Sequence, residues 1–173
     1  MEHVYLTPAQ AHLAHARVEA LVREHHAKLA RYVRRMVGDA DIALDIAQDV
    51  FFAAYRTLQV DPARPLTSGW LYKTATNTSI SYLRRKKILR FLPLDRDADL
   101  RALRIDERSA ASIDLQAAMS RLPAEQASAI MLTSYAGYSS QEAATILGTT
   151  ADAVRQRVCR AMRTLRAVMA ESA

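Results

Sequence analysis

The chain has 173 residues, and its 24 Lys and Arg against 18 Asp and Glu give a formal net charge of +6 at pH 7. Such a surplus favours a polyanionic partner, nucleic acid first among them, over an acidic small molecule. Half of the residues are hydrophobic and only 4 are Gly, which excludes fibrous, disordered and low-complexity chains and favours a mostly helical fold.

Cysteine and histidine usage narrows the chemistry. Cys159 is the single cysteine, which excludes a disulfide scaffold and a cysteine-rich zinc site and indicates a reducing, cytoplasmic setting. All five histidines lie within the first 26 residues, so we predict no catalytic residue, no metal site and no cofactor. The N-terminus has no export signal, and the longest uncharged stretch, residues 126–141, is too short and polar to span a bilayer, so no membrane insertion is expected.

The first predicted helix has one buried face. Side chains suited to burial recur there at steps of three and four residues, at Leu21, Val22, His25, Leu29, Tyr32, Val33, Met36 and Val37. Gly38 is expected to end this helix. Thr7 and Pro8 offer an earlier start, and no role is assigned to residues 1–20.

The next two helices carry opposite charges. Residues 37–62 hold five acids and one base, whereas residues 63–90 hold seven bases and no acid, which predicts two adjacent surfaces of opposite sign. The acidic helix begins near Asp39 or Asp41 and ends before Asp61. Its expected inward residues are Ile42, Ile46, Val50 and Ala54.

A loop and a basic helix follow. Residues 59–67 contain two prolines and are predicted to form the loop. Ser68 is expected to cap the third helix, which runs to about Arg90.

The C-terminal part also shows a helical pattern. Residues 94–111 alternate acids with arginines and hold few large apolar residues, which is typical of a linker. Short helical segments then end at residues 122–123, 136–137 and 147–148, and the last helix has an apolar stripe of Val154, Val158, Ala161 or Met162, Leu165 and Val168 or Met169. We predict an all-α fold of two small helical domains, residues 1–92 and 112–173, joined by a linker over 93–111.

Residues 138–160 have the pattern of a helix-turn-helix. Ser139 and Glu142 form a capping box, Gly148 turns the chain, and Thr149 or Thr150 begins the second helix. Five arginines against one acid over residues 151–169 favour insertion into a DNA major groove over a hairpin with a solvated basic face. The expected DNA contacts are Thr150, Ala151, Arg155, Gln156, Arg157 and Arg160.

The third helix interleaves aromatic and basic side chains. Stacking surfaces, an amide and cations on one helix suit unpaired bases and a phosphate backbone; the alternative is a merely basic face with partly buried stems. Tyr72 and Tyr82 are expected to add stacking surfaces. The expected contacts to melted DNA are Arg64, Trp70, Lys73, Asn77, Arg84, Arg85, Lys86 and Lys87.

The acidic helix suggests a protein partner. Asp41, Asp45 and Asp49 stand four residues apart, so they share one face and repel one another. DNA supplies no cation to them, which implies a second macromolecule with a basic surface, to which Gln48 could also hydrogen-bond. The alternative is a solvated face near a helix N-terminus, where acids are favoured.

Together these motifs resemble the extracytoplasmic-function group of bacterial RNA polymerase sigma factors, over about residues 25–168. VGDADIALDIAQDVFFAAYRTL (37–58) is similar to the helix that docks on the clamp of the largest polymerase subunit. SGWLYKTATNTSISYLRRKK (68–87) is similar to the helix that melts promoter DNA and reads the minus-ten element. Residues 122–166 are similar to the fourth region, which reads the minus-thirty-five element.

The resemblance implies a transcription initiation subunit that performs no chemistry and binds core RNA polymerase and promoter DNA. It assigns Asp45, Gln48 and Asp49, with Asp41 beside them, to the polymerase contact. It assigns Asn77 and the loop over residues 59–67 to a pocket for a flipped minus-ten base. The minus-thirty-five contacts are the helix-turn-helix residues, above all Arg155, Arg157 and Arg160. The linker is implied to run towards the polymerase active-site channel.

A regulatory partner is the remaining implication. Many members of that group are held inactive by an anti-sigma factor, which these residues neither indicate nor exclude.

Two positions depart from the family pattern, and two rival functions remain. Leu44 stands where the family commonly has an acid, so polymerase docking is either weaker, uses Asp39 and Asp41 instead, or depends on another regulated step. Ser81 stands where the family often has an acid before its Leu-Arg-Arg, which removes a helix-stabilising partner expected at that position. A stand-alone helix-turn-helix regulator is the alternative function, but it needs a receiver or ligand domain that residues 1–90 do not indicate. An enzyme is disfavoured, because there is no downstream histidine, phosphate-binding glycine loop or metal cluster.

Overall fold

The computed structural model describes residues 7–89 and 118–171, and the elements within them are helices. The first range contains α1 (Pro8–Val37), α2 (Ala40–Val60) and α3 (Ser68–Leu89). The second contains α4 (Ala124–Ile130), a π-helical turn (Met131–Tyr135), α5 (Ser140–Leu147) and α6 (Ala151–Glu171). The all-α prediction is confirmed for the described residues, whereas the predicted linker lies outside them.

Helix α1 takes the earlier of its two predicted starts. The Thr7 hydroxyl accepts a hydrogen bond from the Gln10 N–H at 3.3 Å, and the Gln10 side chain accepts one from the Thr7 N–H at 2.9 Å. This reciprocal cap and the proline that follows it explain a start thirteen residues before the apolar stripe. Gly38 ends the helix as predicted, at a φ of 84° that glycine adopts without strain.

The predicted end of α2 before Asp61 is confirmed, whereas the start of the loop and the cap of α3 were predicted wrongly. Gln59 and Val60 are helical, so the loop is residues 61–67, because the restriction that Pro62 imposes reaches back only to Asp61. Thr67 caps α3, not Ser68: its hydroxyl accepts the Trp70 N–H at 3.3 Å. Both hydroxyl residues suit a cap, so the sequence pattern does not distinguish them.

The helix-turn-helix forms as predicted. Ser139 and Glu142 make the capping box of α5, and Gly148 follows α5 at a φ of 63°. Thr150 is the residue that caps α6, since its hydroxyl accepts the Ala153 N–H at 3.2 Å. The apolar stripe of α6 buries Val154, Ala161 and Leu165. Met162 and Met169, the second of the two residues predicted as alternatives at each of their positions, are exposed.

The two helical units share one apolar core. Helix α3 packs on α4 and α5, and α1 packs on the π-helical turn. The Tyr72 ring meets the Tyr32 ring at 4.9 Å and the Tyr138 ring at 5.5 Å, both edge to face. Because Tyr72 is buried in this aromatic contact, the expectation that it offers a stacking surface to bases is wrong for this arrangement.

Candidate nucleic-acid and partner interfaces

The acidic face of α2 is open to solvent. Asp41, Asp45 and Asp49 are all exposed, and within the described part of the chain none of them forms an ion pair. Gln48 lies beside them and is also exposed. Asp39 serves a different purpose: its carboxylate caps α2 by accepting the Ile42 N–H at 3.0 Å. The predicted partner-binding residues therefore form a continuous acidic face.

An apolar row runs alongside these acids. Leu44 and Phe52 keep half of their surface exposed, at 50% and 54%, and each lies four residues from Gln48 on the same side of the helix. Their neighbours Ala43 and Phe51 are buried. Sequence reasoning noted Leu44 only as a missing acid and overlooked Phe52. The four-residue spacing around Gln48 was the signal that could have found both.

Helix α3 brings half of the predicted melted-DNA residues to one face. Positions 70, 73, 77 and 84 are spaced by three, four and seven residues and therefore align along the helix. Lys73, Asn77 and Arg84 are exposed, and Trp70 is half-buried. Among the remaining predicted contacts, Arg64 is exposed in the loop, Arg85 is exposed and Lys86 is half-buried, and Lys87 lies within the helix.

Helix α3 carries lysines and arginines but no acidic residue, so its positive charges have no acid on the same helix to pair with. Arg85 donates from Nε to the Ser81 carbonyl at 3.3 Å, one turn back. Burial raises the pKa of Tyr72 and of Tyr82, and the Asp39 carboxylate raises that of Tyr82 further. Both tyrosines thus stay neutral at ordinary pH, and the positive charge of the face comes from lysine and arginine.

Helix α6 presents its predicted DNA residues unequally. Thr150, Arg155, Gln156 and Arg160 are exposed, and Arg155 pairs with Asp152 one turn earlier. Arg157 differs, because its side chain is only 27% exposed and its Nη2 lies 3.7 Å from Glu125 Oε2 of α4. The exposed face of α6 therefore carries Arg155, Gln156 and Arg160, whereas Arg157 lies towards α4.

The start of the helix-turn-helix is held by a charged cap. Glu142 accepts hydrogen bonds from the Ser139 N–H at 2.8 Å and from its hydroxyl at 2.7 Å. These bonds favour the ionised carboxylate and lower the pKa of Glu142 below its ordinary value. The cap therefore holds the entry to α5 with Glu142 ionised at neutral pH.

The two basic surfaces meet at a cleft of about 310 Å³ between the helical units. From α3 it is lined by Asn77, Ile80, Ser81 and Arg84, and from the second unit by Glu125, Ser128, Leu147 and Arg157. Residues predicted to contact separate promoter elements thus line a single cleft. The sequence contains no pattern that predicts this cleft, because the cleft depends on how the two units pack.

Neither a metal site nor a bilayer-crossing helix is found in the described ranges. Within residues 7–89 and 118–171, no three His, Cys, Asp or Glu side chains gather where they would hold a metal ion. Across the same ranges, no helix combines the length and the apolarity that crossing a membrane requires.

Both helical units are similar to known protein families. Residues 21–88 match the model of Sigma-70 region 2, and residues 112–165 match that of Sigma-70 region 4. SigE of Mycolicibacterium smegmatis, an ECF RNA polymerase sigma factor, is 32% identical over 160 residues, which are 88% of this chain but only 62% of SigE. SigL of Mycobacterium tuberculosis, another ECF RNA polymerase sigma factor, is 32% identical over 161 residues, 90% of each chain.

Solved structures share the fold. CnrH in complex with the cytosolic domain of CnrY is similar with a TM-score of 0.66 and 27% identity, over 95% of this chain and 96% of CnrH. RpoE of Bartonella quintana, in complex with the anti-sigma factor NepR, has a TM-score of 0.67 and 21% identity, over 87% and 95% of the two chains. The second likeness concerns the fold alone.

Proposed function

Because this chain belongs to the extracytoplasmic-function group of sigma-70 RNA polymerase sigma factors, we propose that it directs core polymerase to specific promoters and initiates transcription there. The observation that carries the proposal is the combination, on one chain, of an exposed acidic face on α2 with basic faces on α3 and α6. A stand-alone regulator would need the basic face of α6 but would leave the other two without a purpose.

Polymerase docking is assigned to α2. Asp41, Asp45 and Asp49 offer three carboxylates to a cationic surface, which steers association through charge complementarity. Leu44 and Phe52 add apolar area next to these charges, and burying such area supplies binding free energy that salt does not screen. The partner surface, which we assign to the clamp of the largest polymerase subunit, therefore has an apolar strip beside its basic residues.

Promoter melting is assigned to α3 and the loop before it. Lys73 and Arg84 lie along one exposed face with Asn77, so that the cations hold the phosphate backbone while the amide reads a base edge. Melting then follows from differential binding, since each base held outside the duplex offsets the few kcal/mol that its unstacking costs. No bond is made or broken by the protein, so it acts without catalytic chemistry.

Duplex recognition is assigned to α6. Arg155, Gln156 and Arg160 lie on its exposed face: a guanidinium donates two hydrogen bonds to guanine in a major groove, and an amide donates one to adenine and accepts one from it. The minus-thirty-five element is the DNA we assign to this helix. We place the domain boundaries at residues 1–92 and 112–173, with a linker between them, and the working protein in the cytoplasm with the polymerase.

A regulatory partner completes the proposal. The solved relatives CnrH and RpoE are in complex with the cytosolic domain of CnrY and with the anti-sigma factor NepR, and we extend the proposal to a protein of the anti-sigma kind that binds this chain. Such a partner would compete with polymerase, and mixing it with the chain before core enzyme is added should suppress transcription.

The test is promoter-dependent transcription in a defined mixture. Purified chain and core polymerase are incubated with templates in which both promoter elements are randomised, and the transcripts are sequenced. We expect transcripts that share a preferred sequence in each element and that disappear when the chain is omitted. The proposal fails if core polymerase does not bind the chain, or binds it and produces no sequence-selective transcript.

A further inference from the structure

The N-terminal part of α1 is packed against α2 although it precedes the sigma-70 match at residue 21. Ala14 is fully buried. The ring of His15 meets the ring of Tyr55 edge to face, with 6.4 Å between centroids. Because Tyr55 lies in the last two turns of α2, these contacts place the extension beside the end of α2 that leads into the loop over residues 61–67.

Arg17 joins this extension to that loop. Its Nη1 donates a hydrogen bond to the Pro62 carbonyl, and its Nη2 donates one to the Arg64 carbonyl at 2.9 Å. The two bonds span 45 and 47 residues of sequence. A planar guanidinium can hold two acceptors at once in a fixed geometry, and charged donors make the stronger class of hydrogen bond.

The loop has few other means of holding its shape. Its internal bonds run from the Ala63 N–H to Asp61 Oδ1 and from the Arg64 N–H to the Asp61 carbonyl, both at 3.1 Å. Pro62 and Pro65 have no N–H to donate. The last turn of α2 contains no basic residue, so Arg17 supplies, from another helix, the positive charge that stabilises a helix C-terminus.

We propose that Arg17 is a positioning residue for minus-ten recognition: it holds the loop over residues 61–67 in the shape that receives the flipped base. This inference rests on the proposed function, which assigns promoter melting to α3 and this loop and the reading of a base to Asn77. A loop that is already ordered loses less conformational entropy when the base binds, so it discriminates better between a base that fits and one that does not. Without Arg17 the loop samples more shapes and discriminates less.

A purely structural role for Arg17 predicts a different result. If its bonds only stabilised the first helical unit, their loss would lower the melting temperature and the total amount of transcript. The preferences at both promoter elements would then decline together or stay as they are. A selective change at the minus-ten element requires that the loop itself takes part in reading DNA.

The experiment uses the full chain with core polymerase and the doubly randomised template library. The variants are Arg17→Ala, Arg17→Lys and, as a matched control, Arg23→Ala, which removes an exposed arginine from another face of α1. Each is measured for its preference at every promoter position and for its melting temperature. The minus-thirty-five preference, read from the same transcripts, serves as the internal standard.

We expect Arg17→Ala to reduce the preference at the flipped minus-ten base by about tenfold, while the minus-thirty-five preference stays unchanged. Arg17→Lys should restore part of it, since an ammonium still donates to one carbonyl at a time. Arg23→Ala should match the unchanged chain.

Three results would overturn the assignment: an unchanged minus-ten preference in Arg17→Ala, an equal loss at both elements, or the same loss in Arg23→Ala. Failure of the unchanged chain to yield selective transcripts would overturn the proposed function, and with it this inference. The two failures are distinct, because only in the first does the unsubstituted chain still yield selective transcripts.

Discussion

Tyr32 is a large side chain in the apolar core that the two helical units share. It is fully buried, and its hydroxyl lies 2.7 Å from the hydroxyl of Thr76, which is buried as well. Tyr32→Phe would leave Thr76 without that partner, and Thr76→Val would leave Tyr32 without one. Each change should lower the free energy of unfolding by about 1–2 kcal/mol, measured by urea denaturation.

The double variant provides the control. Replacing both partners by apolar groups of similar shape leaves no unsatisfied hydroxyl, so Tyr32→Phe with Thr76→Val should cost clearly less than the sum of the single changes. If the cost of the double change equals the sum of the two single costs, the hydrogen bond is not the source of the effect.

The same tyrosine should make the fold sensitive to alkali. Burial raises the pKa of Tyr32 above its ordinary value of 10.0, so above about pH 10 the unfolded chain loses this proton while the folded chain keeps it. The contribution of Tyr32 to the free energy of unfolding is therefore complete below about pH 10 and declines as the pH rises further. Tyr32→Phe should flatten the decline between pH 9 and 11, and an identical slope in both proteins would refute the assignment.

At the scale of one element, the carboxylates proposed to bind polymerase reduce the stability of α2. Asp45 lies four residues from Asp41 and from Asp49, and each such pair of like charges destabilises a helix by about 0.3 kcal/mol. Asp45→Asn should therefore raise the unfolding free energy slightly while it weakens binding to core polymerase by about threefold or more, with a shallower dependence on salt. Urea denaturation and fluorescence anisotropy measure the two effects.

The control for net charge is Glu24→Gln, which neutralises an exposed acid on α1. Polymerase affinity should not change in this variant. If both variants weaken binding equally, the effect belongs to the overall charge of the chain and not to the acidic face of α2.

The local features of each helix were predictable because they depend on near neighbours. Gly38, the Ser139 and Glu142 capping box and the stripe of α6 involve residues within about four positions of one another, which is the reach of a helical turn. The π-helical turn was not predicted. Its closing hydrogen bond runs from the Ala136 N–H to the Met131 carbonyl at 2.9 Å, and no sequence pattern marks such a turn.

At the scale of the whole molecule, the contact between the units bears on the proposed promoter binding. Asn77 and Arg157 line one cleft, whereas the elements assigned to their helices lie about 25 base pairs apart, or about 85 Å along straight duplex. Both elements can be bound together only after the units separate. Under the proposed function, polymerase binding therefore favours the separated arrangement over this one.

Tyr138→Ala tests this requirement. Removing the ring that packs on Tyr72 should weaken the contact between the units, increase the radius of gyration in solution scattering, and raise the affinity of the free chain for minus-thirty-five duplex by about fivefold. Met162→Ala, a truncation of an exposed apolar side chain on α6, should change neither quantity. An unaltered radius and affinity in Tyr138→Ala would show that the contact does not restrain DNA binding.

The amino-acid order by itself determined the helices, most of their ends and the division of charge among them, since each of these follows from the spacing and the type of residues close together in the chain. Tertiary structure alone decided that Phe52 is exposed beside Leu44, that Tyr72 is buried, that Arg157 approaches Glu125, and that Arg17 reaches a loop 45 residues away. The physical reason is that packing brings together side chains from separate helices, and the periodicity within one helix carries no information about which face its neighbour will cover.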